Sequence, residues 1–401
     1  MNQAFLDSIR SQTLDRIYTD VQEQKRVMVT GTTDASSALI AAQLVTRLGK
    51  RVLVVTANDL KAGKTAEDAR QFVGLRAACL PGGELDLTRS TSSHESAWRR
   101  LETLTQVVMG ETRLLVTSMD ALQQRMGNAE LFRASVVRFA PGDQVDPVEL
   151  IGQLVQMGYE RVPMVEGKGQ CALRGDILDC YPPSSQSGLR IEFFGDEVDT
   201  VRSFDCISQR TLEQLDRALI PPACEVLLDE DESQQAADRM RRALQKGRRQ
   251  VDIMGSAFDD LPPLPDDDDE LEAIFDKKVA PKVKQKDISV TRQMELDRRF
   301  AALMQDADTL ESGVPFRRMR TWLTVMTKEH SALTDWFRAD AVVLVQPDAL
   351  RDRADERMKG FAADLESAME RGEAVEEQSG LMMDWAGCLD CLQNMSMVMT
   401  S

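Results

Sequence analysis

No apolar run in these 401 residues approaches the roughly 20 needed to cross a bilayer as a helix. The start, MNQAFLDSIRSQ, is polar and lacks the apolar stretch of a secretory signal. A cytoplasmic protein without membrane partners is expected. Histidine is scarce: His94 and His330 are the two in the chain. Both lie far from the single C-x-x-C, Cys388 and Cys391, which has no second pair to complete a zinc set. Packing is therefore the expected role of that pair, and neither metal nor cofactor is expected. The remaining cysteines, Cys79, Cys171, Cys180, Cys206 and Cys224, bring the number to an odd seven. They sit in apolar or strand-like contexts, which excludes a disulfide framework and predicts reduced thiols.

Positive charge is also in deficit. With 49 Lys and Arg against 66 Asp and Glu, the formal net charge is −17. Duplex binding by the chain as a whole is disfavoured, since phosphate neutralisation needs clustered cations. Protein partners become the better expectation. The basic clusters RMRR at 239–242 and RRMR at 317–320 are expected to be solvated helix faces.

No Ser-His-Asp grouping, no H-E-x-x-H and no Gly-x-Gly-x-x-Gly after a strand occurs. No catalytic residue is therefore assigned.

What is present is a folded composition: 42% hydrophobic and 29% charged residues. A length of 401 residues suggests about two to four domains. Residues 26–57 read as strand, turn at Gly31, helix stopped at Gly49, and strand, with nearly continuous apolar strands as in a sheet covered on both faces. Alternation continues through LRAACL, RLLVT and SVVRFA, so the first 140 residues look doubly wound.

After Pro141-Gly142 the pattern becomes one short helix, Pro147–Met157, and then strands separated by Gly and Pro up to Pro222. Within LRIEFFGDEVDTVRSF, Gly195-Asp196 marks a two-residue hairpin turn. Its register puts Leu189, Ile191, Phe193, Val198 and Thr200 on one face, with Arg190, Glu192 and Phe194 on the other. From Ala223 the chain reads as helical and charged, broken by an acidic loop at Asp266–Glu270. The run AVVLV at 341–345 is expected to be a buried strand, with helices near Ala349–Met369 and Met382–Cys391. The final NMSMVMTS matches no predicted element.

The expected organisation is three parts: residues 1–140, a small α+β domain at 141–222, and residues 223–401 completing the first body. The fold class expected is α/β, a P-loop-ATPase-like parallel-sheet body with an inserted small α+β domain. The turn Gly31-Thr-Thr-Asp-Ala-Ser36-Ser37-Ala38 sits where a phosphate-binding loop would be. A working loop carries glycine, lysine and a hydroxyl at the positions of Ser36, Ser37 and Ala38. Strand RLLV ends in Thr117-Ser118 and AVVLV in Gln346-Pro347, so neither supplies a magnesium-holding acid. From this turn alone, a lost nucleotide site and a domain that never bound nucleotide fit equally.

Residues 158–210 carry an ordered string of landmarks: GYER at 158–161, ALRGDILD at 172–179, Tyr181-Pro182, RIEFFGDE at 190–197 and Phe204-Asp205. This string resembles the small inserted domain shared by excinuclease component B and the transcription-repair coupling factors. The resemblance extends more weakly on both sides. Component B keeps an intact P-loop, so the eroded turn favours the N-terminal module of a coupling factor. The alternative is an ATP-dependent DNA repair protein like component B. The resemblance implies docking onto excinuclease component A, with Arg174, Arg190 and Phe194 in the docking surface. It further implies that a full-length relative also engages RNA polymerase and DNA as an ATP-dependent translocase, none of which fits within this chain. A shortened form of such a protein, or a fragmentary gene product, is the expectation.

Overall fold

The computed structural model describes residues 11–24, 26–87, 94–259, 285–316 and 318–401. Its strands in chain order are β1 (Arg26–Val29), β2 (Val52–Thr56), β3 (Ala77–Leu80), β4 (Leu114–Ser118), β5 (Val137–Phe139), β6 (Glu160–Arg161) and β7 (Gln170–Arg174). They continue with β8 (Ile177–Cys180), β9 (Gly188–Phe194), β10 (Glu197–Phe204), β11 (Thr211–Gln214), β12 (Ala218–Ile220), β13 (Ala341–Val345) and β14 (Ser396–Thr400).

Six of these form one parallel sheet in the order β1-β14-β13-β2-β4-β3. Strands β2, β4 and β13 are buried at every position, which is why their sequences are apolar except at the ends of β2 and β4, Thr56 and Thr117-Ser118. Alternate residues serve opposite faces. Val52, Val54, Leu114, Val116, Ala341 and Val343 pack under the helices Asp34–Leu48 and Asp59–Val73. Leu53, Val55, Leu115, Val342 and Leu344 pack on the other side with the helices His94–Val108 and Pro347–Glu370. The helix Asp34–Leu48 starts where Thr33 caps it and stops at Gly49, whose φ is 63°. Strands β13 and β14, from the end of the chain, separate β1 from β2. Early and late segments thus share one sheet.

The second sheet has the order β11-β10-β9-β8-β7-β6, antiparallel except for the short β6. Its inner face, with Cys171, Leu178, Ile191, Phe193, Val198 and Val201, packs on the helix Pro147–Gln156 through Leu150, Ile151 and Leu154. The hairpin turns at Gly195, φ 64°, with Phe194 paired to Glu197.

Four elements depart from the sequence reading. Strand β5 is not part of the parallel sheet; it pairs antiparallel with β12, because Phe139 packs into the small-domain core beside Ala218 and Ile220. The unassigned C-terminal stretch supplies the interior strand β14. Thr200 lies on the face opposite Val198: the pairing slips between Val198 and Thr200, a bulge at Asp199, so Val201 takes the inward place opposite Ile191. The cationic clusters are only partly solvated helix faces: Arg242 is exposed on the helix Glu230–Asp259, whereas the other described arginines are engaged. Arg239 donates to the Met326 carbonyl, Arg241 pairs with Asp308 and Glu311, and Arg318 and Arg320 lie around a 3-10 turn at Met319–Trp322. Arg317 and the acidic run Asp266–Glu270 lie outside the described residues.

The small domain meets the body at a buried ionic cluster. Glu225, just beyond β12, is held between Arg100 of the helix His94–Val108 and Arg320. Arg100 Nη1 also donates to the Pro81 carbonyl at 2.6 Å, and Arg320 Nη2 to Gln124 Oε1 at 2.6 Å. Beside it, Trp98 rests on Gly169, φ 78°, where a Cβ would come within 2.7 Å of the indole. Only glycine allows that approach.

Cys388 and Cys391 flank one turn of the helix Trp385–Leu392, Cys388 inside the core. Among the described residues no group of three His, Cys, Asp or Glu side chains is placed to hold a metal ion, and no helix is long and apolar enough to cross a membrane.

Candidate docking site

The outer face of the small sheet is set by strand parity. Across β7, β8, β9 and β10 one row reads Ala172, Asp179, Arg190, Arg202; the next reads Arg174, Ile177, Glu192, Thr200. The face is charged at its centre and organised by a residue to which the sequence reading gave no role. Asp179 is fully buried. Its carboxylate accepts from Arg190 Nε at 2.7 Å and Nη2 at 2.9 Å, and from Arg174 Nη2 at 2.6 Å. The first pair is a fork-to-fork contact, the geometry that suits arginine and not lysine.

Arg190 is further committed. Its Nη1 donates to the Gln209 carbonyl at 3.3 Å, and its guanidinium lies 4.6 Å from the centre of the Phe204 ring. The bonds to Asp179 outweigh burial and hold its pKa above the usual arginine value. With a side chain 15% exposed, against 45% for Arg174, it has little surface left to offer. Arg174 contributes one N–H to Asp179 and turns the rest of its fork to solvent. Neighbouring Glu192 pairs with Arg202 at 3.0 Å and accepts from Thr200 at 3.1 Å.

Phe194 follows on the same strand face, next to the hairpin turn, and is 84% exposed. Its neighbour Phe193 points the other way and is 6% exposed. The structure therefore brings Arg174 and Arg190 together on one carboxylate and leaves Phe194 as an exposed ring beside them. What distinguishes Asp179 emerges only once the strands are paired: a lone acid on β8 between two strands that each carry an arginine on the same face.

A second place to inspect is the turn after β1. Thr33 and Ser36 form a closed capping box, Ser36 N donating to Thr33 Oγ1 at 3.2 Å and Thr33 N to Ser36 Oγ at 3.3 Å. Ser37 is buried with its hydroxyl 2.8 Å from Thr400 Oγ1, Ala38 is fully buried, and Thr32 N donates to the Ser401 carbonyl at 3.0 Å. The hydroxyls of Thr32, Thr33, Ser36 and Ser37 and the amides of Thr32, Thr33, Ser36 and Ser37 thus find partners within the turn or at the end of β14. At the adjoining strand ends Asp120 is gripped by Arg353 at 2.8 and 2.9 Å, and Lys61 donates to Gln346 at 3.0 Å.

Known proteins resemble this chain over the stretch that holds these residues. Residues 137–225 match the family described as the UvrB interaction domain. The chain is 29% identical over 222 residues to the transcription-repair-coupling factor of Bacillus subtilis (strain 168), covering 55% of this chain and 19% of that protein. It is 31% identical over 256 residues to the coupling factor of Myxococcus xanthus, covering 60% of this chain and 21% of that one. Similarity also extends to UvrABC system protein B of Thermotoga petrophila, 26% over 244 residues, covering 57% of this chain and 37% of that protein. The chain spans about a fifth of the length of these coupling factors.

Proposed function

We propose that this chain is a docking module of the transcription-repair coupling type, whose small domain, residues 141–222, binds excinuclease component A and so recruits the nucleotide-excision repair machinery. Residues 1–140 and 223–401 form the degenerate ATPase-like body that carries it, and the module works in the cytoplasm without hydrolysing ATP. RNA polymerase and DNA are partners of the longer proteins it resembles.

One observation carries this reading: two arginines gathered on a buried aspartate beside an exposed phenylalanine, within the stretch that matches the UvrB interaction domain. Such a face combines a cation held in place and a large apolar side chain already in solvent, the two residue types that dominate binding energy at interfaces. Arg174 is the contact to a partner carboxylate, and Arg190 mainly holds the cluster in register.

The likeness to UvrABC system protein B supports a second reading, an ATP-dependent repair enzyme. The closed capping box at Thr33 and Ser36 and the buried Ser37 weigh against it, since each occupies a group a phosphate would need.

Titration calorimetry with purified excinuclease component A tests the proposal. Saturable binding is expected, weakened by Arg174→Ala by about 2–5 kcal/mol because the partner's acid would be left unpaired. No binding by the folded, unaltered chain would sink it.

A further inference from the structure

The loop Asp205–Gln209 reaches the docking face from the end opposite Phe194. Asp205 accepts from the Ser208 amide and hydroxyl, both at 2.7 Å, closing a tight turn. Gln209 then takes φ 58°, a left-handed conformation that a side chain with a Cβ adopts only when its surroundings enforce it. Here they do. Gln209 Nε2 donates to the Val165 carbonyl at 3.0 Å and the Cys206 carbonyl at 2.8 Å, and its own carbonyl accepts from Arg190. One glutamine therefore joins the loop at 205–209, the loop through Val165 and the arginine cluster.

The residues next to the two stitched positions are hydrophobic and turned outward. Ile207 is 94% exposed and Met164 42%, while Val165 and Cys206 beside them are buried with Ala172 and Phe204 on the outer face of the sheet. A single exposed isoleucine needs no explanation. An isoleucine held in solvent at the tip of a strained loop, locked to the guanidinium that organises the docking face, does.

We propose that Ile207, with Met164 on the loop that Gln209 ties to it, is a second apolar contact of the docking face; this rests on the docking reading given above. Arg190 and Phe194 stand four residues apart on β9, about 13 Å along the strand. The face then offers apolar contacts at both ends of a charged centre. The occupant it fits is a surface of excinuclease component A presenting an acidic group flanked by apolar side chains, one meeting Phe194 and the other meeting Ile207. Specificity would come from that order, because a partner with the acid alone reaches only the centre.

The experiment measures the affinity of the full chain for excinuclease component A in five forms: unaltered, Ile207→Ala, Arg174→Ala, Gln209→Gly and Leu75→Ala. Leu75 is a control, equally exposed at 94% but on the parallel-sheet body. Ile207→Ala is expected to weaken binding about 5- to 30-fold, the scale of one apolar anchor, with the melting temperature unchanged. Leu75→Ala should bind as the unaltered chain does. Gln209→Gly, which keeps the backbone conformation but removes both amide bonds, should weaken binding in the same direction. If Ile207→Ala binds within twofold of the unaltered chain while Arg174→Ala does not, the second contact is overturned and the docking reading stands. If the unaltered chain does not bind, both fall.

Discussion

Asp179 and Arg190 face each other in register across β8 and β9, and the buried carboxylate takes the guanidinium through two parallel hydrogen bonds of 2.7 and 2.9 Å. Arg174 reaches the same carboxylate from β7 by one bond and stays half exposed. The energetic roles of the two arginines should differ accordingly. Asp179→Ala leaves Arg190 without its charge partner and is expected to cost about 3–5 kcal/mol of stability. Arg174→Ala removes one bond from a half-exposed side chain and leaves Asp179 still paired with Arg190, so it should cost about 1 kcal/mol. Urea midpoints compare them directly; equal losses would refute the division of roles.

The adjacent phenylalanines give the complementary contrast. Phe193→Ala opens a cavity in the core between the small sheet and its helix, at about 3–5 kcal/mol. Phe194→Ala should move stability by no more than about 0.5 kcal/mol, as for most surface changes. It should instead weaken binding to excinuclease component A by about 1–2 kcal/mol. Melting and affinity measured on both variants would show the inversion.

This small domain is also where sequence and structure can be compared residue by residue. The turn at Gly195 was legible because glycine at the first of two turn positions between alternating runs is a local signal. The bulge at Asp199 was not, because nothing local distinguishes it: the slip brings Val201 instead of Thr200 against the core. The outward set Arg190, Glu192 and Phe194 could be read from parity, whereas Asp179 looked like an ordinary polar residue until β7 and β9 closed on either side of it. In the body, the apolar runs of β2, β4 and β13 were plain, but β14 carries its hydrophobicity in methionines and lacks a turn signal. Arg320 was read as solvated since the buried Glu225 that pairs with it lies far away in sequence.

The Glu225 cluster makes the joint between the two parts acid-sensitive. Burial alone would raise the carboxyl's pKa, but the charges of Arg100 and Arg320 outweigh it and hold the value below the usual glutamate range. A group whose folded pKa is depressed stabilises above its unfolded value, about 4.3, and that contribution is lost as pH falls through the folded one. Stability should therefore drop below about pH 4.3. Glu225→Gln should be less stable at neutral pH by about 3–5 kcal/mol, with two buried arginines left unneutralised, and should show a shallower acid limb. Urea midpoints across the acid range, with the same slope in both proteins, would rule this out.

Magnesium ATP offers a direct check on the turn after β1. With the Ser36 amide capped by Thr33, Ser37 buried against Thr400 and no lysine in the loop, calorimetry is expected to find no micromolar binding. Saturable, magnesium-dependent binding in that range would favour the enzyme reading.

Strand β14 has a consequence for how the chain is made. Among the described residues β1 is hydrogen-bonded in its sheet to β14 alone, and β14 is in turn what joins it to β13 and the rest. At about 5–20 residues per second, β1 leaves the ribosome tens of seconds before its neighbour exists. The edge of β1 is open to other chains throughout that interval, and the edge of β13 joins it for the last seconds. Synthesis that stops short of β14 should accordingly yield an aggregation-prone product, even though the small domain, finished much earlier, already carries the complete arginine cluster.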